Sequence, residues 1–177
     1  MLVSLAMDDR PRPQAALWLM LGAVAAAGAV AAFVLAEEWI PAGLAALTTG
    51  GLLVMADYRS EDGGPRAAFA FSVTERVADS LVFGSLAWEL LGPLPEAGVA
   101  ALVALSVAFV ASYIRARARS LDYTIMESGL ARPARMLAVA VGLLSSNIEG
   151  GLWAAVGVGT LSLVARLREL RTQVKTA

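Results

Sequence analysis

The 177-residue chain contains no cysteine and no histidine. The first absence removes disulfides and thiolate chemistry, and the two together remove the usual zinc ligand sets and imidazole acid–base catalysis. Charge is scarce too: only 16% of residues carry it, 14 basic against 15 acidic, and every basic residue except Lys175 is arginine. Chemistry is left to carboxylates, guanidiniums, hydroxyls and the backbone. The net charge of −1 gives no reason to expect a nucleic-acid partner. What is abundant is apolar. With 58% hydrophobic residues and a mean hydropathy of +0.69, the chain exceeds an average soluble domain and reads as an integral membrane protein.

A hydrocarbon core of about 30 Å needs about 20 apolar residues per helix. Six segments answer to this, at 15–36, 39–56, 67–91, 97–118, 133–148 and 150–166, the last two separated only by "SNIEGG" as in a tight hairpin. The expectation is an all-α bundle of six transmembrane helices over 15–166, with an N-terminal tail at 1–14 and a basic C-terminal tail at 167–177. The start is open between Met1 and Met7. All Lys and Arg fall in 1–14, 59–76, 115–135 or 166–177, and the alternate connections around Glu37, Pro93 and Asn147 have none. The positive-inside rule then puts both termini in the cytoplasm, with the protein multi-pass in the inner membrane. Trp39, Trp88 and Trp153 fall at the opposite helix ends, where an indole suits the interface; ordinary packing explains each equally well.

The third segment, "AAFAFSVTERVADSLVFGSLAWELLG", carries Glu75, Arg76 and Asp79. An intramembrane charge costs roughly 2.5–3.5 kcal/mol on insertion scales, so three together point to function or to a position near water. Glu75 and Asp79 share a helix face, while Arg76 is turned about 100° from Glu75. Without a metal, Asp79 is expected to find Arg76, another arginine or a hydroxyl, or else to sit protonated, because burial disfavours the charged form. Residues 57–66, with "EDGGP", read as a polar turn. On a continued helix Arg115 and Arg119 share a face and Arg117 points elsewhere. Such arginines serve either headgroup attraction, about 1 kcal/mol each, or phosphate recognition through the planar fork.

Two stretches carry a family resemblance. "SYIRARARSLDYTIMESGLARPARM" resembles the segment of CDP-alcohol phosphatidyltransferases that reads S-Y-x-[KR]-A-R-A-E followed by E-R-P-E-R. "TERVADSLVFGSLAWELLGP" resembles the segment after that family's last catalytic aspartate. The nearest branch is that of actinobacterial phosphatidylinositol-phosphate synthases and phosphatidylglycerol-phosphate-type relatives. The resemblance implies a CDP-alcohol phosphatidyltransferase-like bundle in which alcohol attacks CDP-activated lipid and CMP leaves, with aspartates holding two divalent metals. It puts Gly51, Val54, Phe71 and Glu75 at the metal-binding aspartates, so three of the four are not acids. Glu75 is the remnant of the base position, and Glu75 and Asp79 are weak metal candidates. A rival alignment uses Asp57, Asp62, Arg66, Glu75 and Asp79 but breaks the family spacing.

Ser112, Arg115, Arg117, Arg132 and Arg135 match the family's basic constellation, with Arg59, Arg66 and Arg76 as further substrate-binding candidates. The reading implied is a degenerate member, linked to phospholipid biosynthesis as partner or regulator of an active synthase. No cofactor is expected, and Mg or Mn would be required if the chain were active. The bilayer, CDP-diacylglycerol or an anionic phosphate headgroup, and a homodimer or a heterodimer with an active paralogue are the expected partners. Two alternatives stay open: an active transferase with a rearranged metal site, and an unrelated small scaffold or transporter.

Overall fold

The computed structural model describes residues 13–61, 64–121, 123 and 131–176. Six helices account for nearly all of them: α1 (Pro13–Leu35), α2 (Trp39–Glu61), α3 (Gly64–Leu90), α4 (Pro95–Arg119), α5 (Ala131–Leu144) and α6 (Ile148–Thr176). No strand occurs among the described residues. Four helices are long and apolar enough to cross a membrane, at Gln14–Leu35, Trp39–Ser60, Pro95–Arg119 and Ile148–Gln173. The expected spans at α3 and α5 are outside that set. α3 has 27 residues but carries the charge cluster in its first half, and α5 has only 14, about 21 Å at 1.5 Å per residue.

Helix ends moved where the sequence offered no breaker. Residues 57–61, expected in a polar turn, continue α2, because nothing before Gly63 interrupts the backbone ladder and the Ser60 hydroxyl donates to the Asp57 carbonyl at 2.8 Å. α6 likewise runs past the expected boundary at 166, its "RLRELRTQ" being rich in helix formers. Residues 1–12, with the two candidate starts, and Asp62 of the rival alignment lie outside the described residues.

The tight turns after α1 and α5 share one chemistry. The Glu38 amide reaches back to the Phe33 carbonyl, and the Asn147 amide to that of Gly142. Glu37 and Ser146 take the left-handed conformation at φ 58° and 57°, the place where helix C-caps usually have glycine. Asn147 then caps α6, its Oδ1 accepting from the Gly150 amide at 3.2 Å.

The helices close a ring in the order α1, α2, α5, α6, α4, α3, and α2 also meets α3 across it. Alanines such as Ala23, Ala46, Ala78, Ala101, Ala140 and Ala155 are fully buried at the contacts, which lets helices approach closely. The closest approach joins α5 to α6. A Cβ added at Gly142 would lie 2.8 Å from the Gly151 Cα, and one at Gly151 would lie 2.7 Å from the Ala138 carbonyl oxygen. Outward, Trp18, Phe69, Trp88 and Leu161 are exposed, an apolar face suited to lipid.

Candidate functional site

The inner stripe of α3 runs Phe71, Glu75, Ala78, Asp79, Val82, Leu86 and Leu90, all buried. This spacing continues one helix face inward, so its two acids cannot reach water and must find cations. Neighbouring helices supply them. Arg132, at the start of α5, donates from Nε to Glu75 Oε1 at 2.5 Å and from Nη1 to Asp57 Oδ2 at 2.7 Å. Arg76 donates to Glu75 Oε2 at 2.9 Å, and Arg115 from α4 stands 3.7 Å from the same oxygen. One turn deeper, Arg135 reaches Asp79 Oδ2 at 3.4 Å, while Asp79 Oδ1 is buried without a hydrogen-bond partner among the described residues. The expectation that Asp79 would meet an arginine is met, by Arg135 and not by Arg76.

Phe71 lies one turn before Glu75, with its ring beneath the Arg132 guanidinium, 5.0 Å from centroid to Cζ. That is cation–π distance. Arg166 of α6 is also buried and donates to the Ala111 carbonyl at 3.3 Å. Four guanidiniums (Arg76, Arg115, Arg132, Arg135) therefore pair with three carboxylates (Asp57, Glu75, Asp79), and Arg166 lines a gap that Glu75 also borders.

Beside this cluster is a cavity of about 510 Å³, lined by Asp57, Ser72, Arg76, Ser112, Arg115 and Arg119 among others. Arg115 and Ser112 stand between it and a gap of about 20 Å³ next to Arg132, Arg135 and Arg166. Arg115 Nε is buried without a hydrogen-bond partner among the described residues. Arg119 lines the cavity together with Arg115 while Arg117 is exposed and outside both spaces, as continuation of α4 requires. Arg59 and Arg66 are exposed and also outside them.

The structure thus brings Glu75, Arg76, Asp79, Ser112, Arg115, Arg132 and Arg135 together and leaves Arg59, Arg66 and Arg117 apart. Sequence reasoning missed the partnership of Asp57 with Arg132 and did not single out Arg166. The second had a signal, an arginine inside the apolar run "SLVARL".

Two divalent metals do not fit these donors. Both Glu75 oxygens and Asp57 Oδ2 are engaged by guanidiniums, Phe71 offers a ring where oxygen would be needed, and no metal-holding group of three acids exists among the described residues.

No family model matches the chain. Over 120 residues it is 33% identical to a phosphatidylinositol phosphate synthase of Corynebacterium glutamicum, a match covering 62% of the chain and 54% of that protein. The chain therefore spans about half the length of that curated relative. Its fold matches the crystal structure of Mycobacterium tuberculosis phosphatidylinositol phosphate synthase with CDP-DAG bound at a TM-score of 0.66, over 89% of this chain and 84% of that one, with 18% identity. With four helices fit to span, the chain is a multi-pass membrane protein. The chain thus shares the fold of the Mycobacterium tuberculosis synthase over most of its length, and a third of its residues with the Corynebacterium glutamicum protein over the matched stretch.

Proposed function

We propose that the chain is a phospholipid-biosynthesis membrane protein of the CDP-alcohol phosphatidyltransferase type that has lost its metal site, and that it acts as partner or regulator of an active synthase. In this reading all six helices cross the inner membrane and both termini are cytoplasmic. α3 and α5 are shielded from lipid where their charges pair inside the ring. The chain forms a homodimer or a heterodimer with its active paralogue.

The observation that carries the proposal is the engagement of Glu75. A base must have an oxygen available to take a proton, whereas Oε1 is bound by Arg132 and Oε2 by Arg76. What the chain keeps is a phosphate pocket. The cavity gathers Arg76, Arg115 and Arg119 with the hydroxyls of Ser72 and Ser112, a donor set suited to an anionic headgroup or to the diphosphate of CDP-diacylglycerol. Arg132 and Arg135, implied by the resemblance as phosphate ligands, neutralise carboxylates instead.

The test is CMP release by the purified protein given CDP-diacylglycerol, inositol phosphate or glycerol phosphate, and Mg²⁺ or Mn²⁺. The expected result is no release above a protein-free control, together with co-purification of an intact synthase paralogue. Robust turnover abolished by Glu75→Gln overturns the proposal and favours an active enzyme with a rearranged site.

A further inference from the structure

The conflict between the donor set and a metal leads further, resting on the reading above that the metal site is lost. We infer that Arg132 is the resident cation of this site. Its guanidinium fills the junction of α2 and α3 and closes Asp57 and Glu75 to divalent ions; a hard divalent cation can enter only when this side chain is removed.

Three observations support this. Asp57 and Glu75 belong to different helices, and one group bridges them, Nη1 to Asp57 at 2.7 Å and Nε to Glu75 at 2.5 Å. That is the topological role of a metal held between carboxylates of two helices, performed by a cation that cannot dissociate from the chain. Next, Arg132 is 9% exposed and Glu75 2% in their side chains, so an ion that reaches Asp57 from the cavity beside it can bridge to Glu75 only by displacing the guanidinium that lies between them. Last, Phe71 complements a planar guanidinium and not a metal. Its ring face attracts the delocalised charge at 5.0 Å, whereas Mg²⁺ or Mn²⁺ requires oxygen donors in near-octahedral array and gains nothing from a phenyl ring. Ring and arginine therefore act as a matched pair, and neither change alone restores an ion site. Arg132→Gln frees Asp57 Oδ2 and Glu75 Oε1 but leaves the ring, and Phe71→Asp adds a carboxylate that Arg132 can bind in turn.

The experiment is a Mn²⁺ titration of the purified full-length protein in detergent, following free Mn²⁺ by electron paramagnetic resonance, for wild type and for the double variant Phe71→Asp/Arg132→Gln. The expected result is at least tenfold tighter Mn²⁺ binding by the double variant, which places three carboxylates at the junction. A double variant of wild-type helicity and elution volume that binds Mn²⁺ no more tightly than wild type overturns the inference. Should the variant not fold, wild type decides: its thermal midpoint is expected to be the same in EDTA and in Mn²⁺. A rise in Mn²⁺ that Asp57→Asn removes overturns the inference. Mn²⁺ binding by wild type without CMP release overturns only the role of Arg132, whereas metal-dependent CMP release overturns the proposed function.

Discussion

Glu75→Gln keeps the side-chain volume and removes one negative charge from the middle of three guanidiniums, so it measures what that charge contributes. Its oxygens lie 2.5 Å from Arg132, 2.9 Å from Arg76 and 3.7 Å from Arg115. At an effective dielectric of about 20, a unit pair near 4 Å is worth about 4 kcal/mol before desolvation. The burial of Glu75 and the mutual repulsion of the arginines offset much of that sum. Stranding the partner of a buried ion pair typically costs about 3–5 kcal/mol. Here the lower end applies, because Arg132 retains Asp57 and Arg76 is 19% exposed and can hydrate. A loss of about 3 kcal/mol, at about 2–4 °C per kcal/mol for a chain of this size, lowers the unfolding midpoint by about 6–12 °C. The assay is thermal unfolding in detergent micelles beside Glu38→Gln, an exposed turn position expected to stay within about 0.5 kcal/mol. An unchanged or raised midpoint for Glu75→Gln would refute the reasoning. It is also the outcome expected of a catalytic carboxylate maintained at the expense of stability.

Two more outcomes follow from the geometry. Gly151→Ala is expected to destabilise by about 1–2 kcal/mol, since its Cβ would meet the Gly142 Cα and the Ala138 carbonyl oxygen, while Gly157→Ala on the same helix meets nothing within 4 Å and is expected to stabilise by up to about 1 kcal/mol; equal unfolding midpoints would contradict the α5–α6 contact. Arg115→Ala is expected to weaken retention of CDP-diacylglycerol at least tenfold, about 1.4 kcal/mol, and Arg117→Ala to leave it within twofold. Equal effects of the two would remove the cavity as the binding place.

Helix number and class were legible because apolar runs of helical length are a local property of the chain. Their ends were less so. Asp57 lies close enough to the Gly63–Gly64–Pro65 signal to suggest a turn, yet its neighbours are good enough helix formers to continue α2 to Glu61. Contacts were the least legible. Arg132 and Glu75 are 57 residues apart, and Arg135 and Asp79 are 56; which arginine meets which acid depends on the ring order of the helices, for which the chain has no local signal. Phe71 illustrates both sides. Its identity alone announced a missing acid, but its place beneath the Arg132 guanidinium needed α5 in position.

That dependence sets an order of assembly. α3 is made before α5, and its two buried acids receive most of their compensation from Arg132 and Arg135, three residues apart on one short helix whose far end is held against α6 through Gly142 and Gly151. Until the fifth helix arrives, Glu75 has only Arg76 and Arg115 beside it, and Asp79 lacks the Arg135 contact. The charged end of the ring is therefore complete only with α5 in place, and that one short helix supplies both cations together.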